Sequence, residues 1–175
     1  MNTQIFNLLP NIVKQVKVVE TKNNVIDYIC GFDYKTVDTN EWIIFFPEKY
    51  DLEPDGLFWS KPKFTFTPIF PFNKQFKEAR FTLSLSPVKN VLKVVSNGET
   101  IFETDVYNQH IEIVLPYRQK YEFETNPYIP PNDDRQLGIY ISKIDIVDLD
   151  NSVQTLKYSN LTSCDISAVK CVNYE

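Results

Sequence analysis

Alanine is nearly missing from this chain, with two residues in 175, against 32 isoleucines and valines and 12 leucines. Helices are built from Ala and Leu, whereas β-branched and aromatic side chains fit a pleated surface. The shortage excludes an all-helical protein and a doubly wound α/β fold with long Ala-rich helices. Histidine occurs once, as His110, so there is no Cys/His zinc set, and any Ser-His or Cys-His pair must use this one residue. It lies between Tyr107-Asn108-Gln109 and Ile111–Leu115, at a turn-to-strand junction without a nucleophile elbow. No G-x-S-x-G, Walker A, G-x-G-x-x-G or H-E-x-x-H pattern occurs. A structural role for His110 is the favoured reading, and no catalytic residue and no cofactor is assigned.

Arginine is limited to Arg80, Arg118 and Arg135, and the formal charge is -5. Phosphate backbones are bound by clustered cations, Arg above all, so nucleic acid is not an expected partner. The three cysteines, Cys30, Cys164 and Cys171, are odd in number and irregular in spacing. They read as half-buried thiols of a reducing compartment, with a Cys164–Cys171 bridge as the alternative. Met1 to Pro10 has neither a basic n-region nor a long apolar stretch, so no signal peptide is expected. No run approaches ~18 apolar residues, so no membrane insertion is expected, and the protein reads as cytoplasmic or virion-associated. Asn and Lys, at 15 each, suggest an AT-rich coding sequence of the kind found in phages, large viruses and low-GC bacteria.

What the chain has is short alternation. At 43% hydrophobic it can bury one sizeable core. No repeat or Gly/Ser linker divides it, so residues 1–175 read as a single domain. Within it an N-terminal hairpin spans 11–30, an irregular aromatic and Pro-rich segment spans 47–73, and the main sandwich spans 78–172. Trp42 to Phe46 suits a buried strand. Pro54, Pro62, Pro68 and Pro71 predict loops and edge strands, because proline removes a ladder donor. Ala79, Phe81, Leu83 and Leu85 alternate with Arg80, Thr82, Ser84 and Ser86, which predicts one buried and one wet face. Asn97-Gly98 predicts a type I′ hairpin. Leu137, Ile139 and Ile141 share one parity, Ile144 and Ile146 the other, so a β-bulge is expected near Ser142-Lys143. The fold class is all-β: an antiparallel β-sandwich or jelly roll of about ten short strands with little helix.

The segment Pro130-Pro131-Asn132-Asp133-Asp134-Arg135-Gln136-Leu137-Gly138-Ile139-Tyr140-Ile141-Ser142-Lys143-Ile144 ends the run that starts at Glu78. Its D-x-R-x-L-G-[IV] ending resembles jelly-roll accessory modules attached to bacterial glycosyltransferases and other surface-glycan enzymes. Gly31-Phe32 and Phe58-Trp59 correspond to the opening motif of such modules, with Phe58 where they carry Arg. The resemblance, over residues 78–147, implies a non-catalytic module with a binding or architectural role.

The residues themselves give Asp133 and Arg135 as a clamp between loop and sheet, or as a ligand contact. Gly138 within a strand predicts close approach of another backbone or a large side chain. Asp145, Asp148, Asp150 and Asn151 could offer oxygens to a cation but lack the glycine and distal Glu of an EF-hand, so no metal is assigned. Aromatics crowd Trp42–Phe72. Those in the Pro-rich stretch fit period-2 packing least, and exposed flat rings stack on sugars or anchor proteins. The ligand-binding candidates are Phe58, Trp59, Phe70, Phe72, Tyr128, Tyr140, Asp133 and Arg135. The expected function is a non-catalytic binding module, with carbohydrate as the leading ligand class and a glycan or protein surface as partner. The alternatives are a structural virion protein in a larger assembly, such as a capsid decoration or tail component, and a carboxylate-dependent glycan enzyme.

Overall fold

Each strongly alternating segment forms a strand, and over 79–84 and Tyr121–Thr125 one face is buried and the other is not. The computed structural model describes residues 3–7, 16–18, 41–71, 73–85, 90–106, 110–163 and 170–174. The strands are β1 (Thr3–Asn7), β2 (Val16–Val18), β3 (Ile43–Phe45), β4 (Phe58–Trp59), β5 (Lys63–Phe70), β6 (Phe76–Ser84) and β7 (Asn90–Ser96). They continue with β8 (Glu99–Val106), β9 (His110–Pro116), β10 (Tyr121–Thr125), β11 (Tyr140–Asp148), β12 (Val153–Thr155), β13 (Leu161–Thr162) and β14 (Lys170–Tyr174). The structure is nearly all β, as the composition predicts. Among the described residues, no helix is long and apolar enough to cross a membrane.

The chain divides into two units. One holds Met1–Glu41 and Cys164–Glu175. Its sheet has the order β14-β1-β2, all antiparallel. Val16–Val18, from the expected N-terminal hairpin, pairs with Thr3–Asn7. The proposed hairpin partner Val25–Cys30 lies outside the described residues, as do Cys30 and Cys164.

The other unit, Trp42–Ser163, is the sandwich. Its sheets are β13-β3-β5-β10-β7-β8 and β12-β11-β6-β9, with β4 also on β11. All pairs are antiparallel except β13 with β3. The inward parity of β6 supplies Ala79, Phe81 and Leu83, each fully buried. Leu92 and Val94 of β7 and Tyr121 and Phe123 of β10 close the core from the opposite sheet. Phe66 meets Phe81 edge-on at 5.0 Å, and Phe64 stacks on Phe123 at 4.5 Å. Such ring pairs add about 0.5–1.5 kcal/mol beyond the area they bury. The corner between β9 and β10 is tied by Tyr121. Its buried hydroxyl donates to the Pro116 carbonyl at 2.6 Å and accepts the Arg118 N–H at 2.9 Å. Burial raises its pKa above the ordinary tyrosine value.

Three local expectations have direct counterparts. Asn97 and Gly98 take positive φ, 51° and 76°, in the β7–β8 turn, which is the type I′ geometry. The β6–β11 register slips between Ile141 and Lys143, so Ser142 is the bulge and both parities of β11 face inward. A Cβ on Gly138 would lie 2.4 Å from the Lys61 carbonyl oxygen, the close approach expected there.

The Pro-rich segment requires a correction. β5 is not an edge strand, because it lies between β3 and β10. It bonds β10 over Lys63–Phe66 and β3 over Thr67–Phe70. Each half therefore has one partner, and Pro68 sits where a missing donor is tolerated, beside a register irregularity in β3. Glu48 covers the open flank of the first half, its carboxylate accepting the Thr65 N–H at 3.1 Å.

Candidate functional site

Five of the eight residues singled out from sequence come together. Trp59, Tyr128, Asp133, Arg135 and Tyr140 line one hollow of about 430 Å³. Phe58 and Phe70 do not join it. Each is 6% exposed and belongs to the buried set. Phe72 lies outside the described residues.

The floor comes from sheet register. Trp59 of β4 is the direct partner of Tyr140 on β11, so both rings project from the same outer face. Their centroids are 4.8 Å apart at an interplanar angle of 33°. The inward neighbours on the two strands, Phe58 and Ile141, are buried and anchor the pair from below. One wall is the turn that carries Glu53 and Asp55. It closes through the Glu53 N–H to the Leu57 carbonyl at 2.8 Å and the Gly56 N–H to the Glu53 carbonyl at 2.9 Å, with Gly56 at φ 81°. Asp55 accepts hydrogen bonds from the Tyr140 hydroxyl and, at 2.9 Å, from the Leu57 N–H.

The other wall is the loop from Asn126 to Gln136. Tyr128 and Leu137 exchange both backbone hydrogen bonds, at 2.9 and 2.7 Å, which brings the loop ends together. Arg135 joins the two walls. It donates to Asp133 at 2.7 and 3.0 Å and to Glu53 at 2.9 Å, and its guanidinium lies 5.3 Å from the centre of the Tyr50 ring. Tyr50 in turn donates to the Gln136 carbonyl at 2.8 Å. Asp133 and Arg135 pair as their spacing suggests, but the clamp joins two loops rather than loop to sheet. Glu53, Asp55 and Tyr50 had no sequence signal that singled them out, because each is joined to its partner by a long-range contact.

The electrostatics are one-sided. Glu53, Asp55 and Asp133 face a single cation, Arg135, that two of them already engage. Hydrogen bonds from the Arg135 side chain and backbone hold the Asp133 carboxyl below the ordinary Asp value. The Tyr140 hydroxyl and the Leu57 N–H do the same for Asp55. Burial, with the Asp55 contact second, pushes Tyr140 up to about 12. A depressed carboxyl stabilises the fold above its unfolded pKa, and that contribution is lost as pH falls through the folded value. The stability difference between wild type and an Arg135→Gln variant should therefore be full near neutrality. It should shrink as pH drops through and below the ordinary carboxylate range, as read by urea midpoints at graded pH. A difference that stays constant with pH would separate Asp133 from the clamp.

The other conspicuous side chains are separately engaged. Asp145 accepts the Thr155 hydroxyl at 2.6 Å and pairs with Lys143 at 3.1 Å. Asp148 accepts the Trp42 indole N–H at 2.9 Å, and Asp150 accepts the Ser152 N–H at 2.9 Å. Among the described residues, no three His, Cys, Asp or Glu side chains are grouped to hold a metal ion. A second hollow, of about 350 Å³, lies over β5, β7 and β10. Charged Glu48, Lys63, Glu122 and Glu124 line it together with Phe64 and Phe123, which stack on each other and are buried. Comparison of the chain with family models, curated proteins and solved structures gives no match.

Proposed function

We propose that this protein is a non-catalytic β-sandwich module that binds neutral carbohydrate in the hollow floored by Trp59 and Tyr140. The observation that carries this reading is the juxtaposition of an aromatic pair with three carboxylates around one cleft. A pyranose ring has an apolar face and a rim of hydroxyl groups. Flat rings take the first, and carboxylate oxygens, which only accept hydrogen bonds, take the second. Leu52, next to Glu53, and Ile129, in the 126–136 loop, are large apolar side chains exposed at 47% and 57%. The resemblance of residues 78–147 to accessory modules of glycan enzymes points the same way.

The carboxylates favour binding over hydrolysis. A glycosidase needs one carboxyl held protonated near neutrality as its acid. Asp55 and Asp133 are shifted the opposite way, and Glu53 and Asp133 are engaged by Arg135. A glycan array with the full chain should therefore give retention on neutral sugars. Trp59→Ala should weaken it by about tenfold or more, which is about 1.4 kcal/mol. Absence of binding to every glycan, or equal binding by the Trp59→Ala chain, overturns the reading.

A further inference from the structure

The outer face of the five-stranded sheet carries a row of side chains that starts in the hollow, continues beyond it, and is not used by the core. Trp59 is opposite Tyr140, Tyr140 is opposite Ser84, and Ser84 is opposite His110. Direct partners in antiparallel strands share a face, so the four side chains form one line across β4, β11, β6 and β9. Neighbouring strands are about 4.8 Å apart, so the line is about 14 Å long. The first two members floor the hollow, and the last two lie beyond it. Ser84 and His110 hydrogen-bond each other through the hydroxyl and Nδ1, on the exposed end of the row.

We infer that the site takes a linear, neutral oligosaccharide laid across the strands, with the Ser84–His110 pair as a second subsite. This rests on the carbohydrate reading of the hollow and extends it. The length argues for a chain, since a single ring covers the Trp59–Tyr140 floor and leaves the rest of the row empty. The chemistry of the far end argues for hydroxyl groups. In either tautomer of His110 the pair keeps one donor and one acceptor for a ligand: the Nε2–H with the Ser84 oxygen, or the Ser84 hydroxyl with Nε2. The charge argues for neutrality. Arg135, the cation of the hollow, is already engaged by two carboxylates, and Lys143, in the next row, is paired with Asp145. An acidic glycan would meet the uncompensated carboxylates and find no free cation among these residues.

The arrangement does not make a hydrolase of the Ser84–His110 pair. Asp55 is bonded to Tyr140, and among the described residues no carboxylate hydrogen-bonds the imidazole. Among the described residues the base therefore lacks the third group that would orient it.

The test uses the full chain and neutral linear hexose oligomers of one, two and four units, from glucose, mannose, galactose and N-acetylglucosamine. Titration calorimetry reads the affinities. For the sugar that binds, the four-unit chain should bind about tenfold more tightly than one unit. A Ser84→Ala, His110→Ala double variant should remove that gain and leave single-unit affinity unchanged. Equal affinity for one and four units, or a gain that survives in the double variant, overturns the second subsite while leaving the hollow as the binding site. Failure of the wild-type chain to bind at any length overturns the carbohydrate reading itself, and with it this inference.

Discussion

Replacing Gly138 by alanine should cost the sandwich about 2–4 kcal/mol, far above the few tenths of a typical surface substitution. The added Cβ would sit 2.4 Å from the Lys61 carbonyl oxygen and 2.7 Å from the Ser60 hydroxyl. Neither neighbour can withdraw cheaply. The Gly138 N–H donates to the Ser60 carbonyl at 2.8 Å, and the Ser60 N–H donates to the Ile139 carbonyl at 2.9 Å. Ser60 is fully buried, and its hydroxyl accepts the Ile139 N–H at 3.1 Å. Moving either chain therefore breaks buried hydrogen bonds, and keeping both compresses the contact. Removing the Ser60 hydroxyl as well would not rescue the variant, since the closest atom belongs to the Lys61 backbone. Urea unfolding of Gly138→Ala and of Gly138→Ala with Ser60→Ala measures both expectations. A loss below about 0.5 kcal/mol in the single variant would mean that the two segments do not press together as described.

The same glycine shows what was legible beforehand. One glycine in the apolar run Leu137–Ile141 signals close approach, but the partner, Lys61, is 77 positions earlier in the sequence. Local signals behaved likewise throughout. Period-2 alternation marks β6 and its inward face, Asn97-Gly98 marks the β7–β8 turn, and the parity change in β11 marks the bulge at Ser142. Each is written in adjacent residues, because each is a property of one strand or one turn. β5 was misplaced for the converse reason. Proline excludes a ladder bond on one side only, and which partner each half of the strand takes, β10 or β3, depends on strands elsewhere in the chain. The site shows both cases. Asp133 and Arg135 are two residues apart and were readable as a pair, whereas Glu53, which completes the clamp, is 82 residues away.

The described aromatics of residues 42–70 divide into two populations that sequence alone could not separate, and substitution should separate them by opposite signatures. Phe66→Ala should destabilise the chain by about 3–5 kcal/mol, the range for deleting a fully buried ring. Phe66 is 0% exposed, and its ring meets Phe46, Phe81 and Tyr121 at centroid distances of 6.2, 5.0 and 5.8 Å. Phe81 belongs to the facing sheet, so the truncation opens a cavity at the contact that holds the two layers together. Trp59→Ala removes an outward, half-buried ring whose main ring partner is Tyr140, and should forfeit the pair's worth of about 0.5–1.5 kcal/mol. Its larger effect should be on ligand retention. Thermal or urea unfolding of the two variants, beside glycan binding of each at a temperature where both are folded, gives the comparison. A Phe66→Ala chain that keeps full stability would remove Phe66 from the core contact, and a Trp59→Ala chain that loses more stability than Phe66→Ala would make Trp59 a packing residue. The difference is one of strand parity. Phe64 and Phe66 take the inward positions of β5, whereas Phe58 and Trp59 are adjacent, so one of them must turn outward. Register then places the outward ring against Tyr140, at the cleft that Arg135 holds between its two loops.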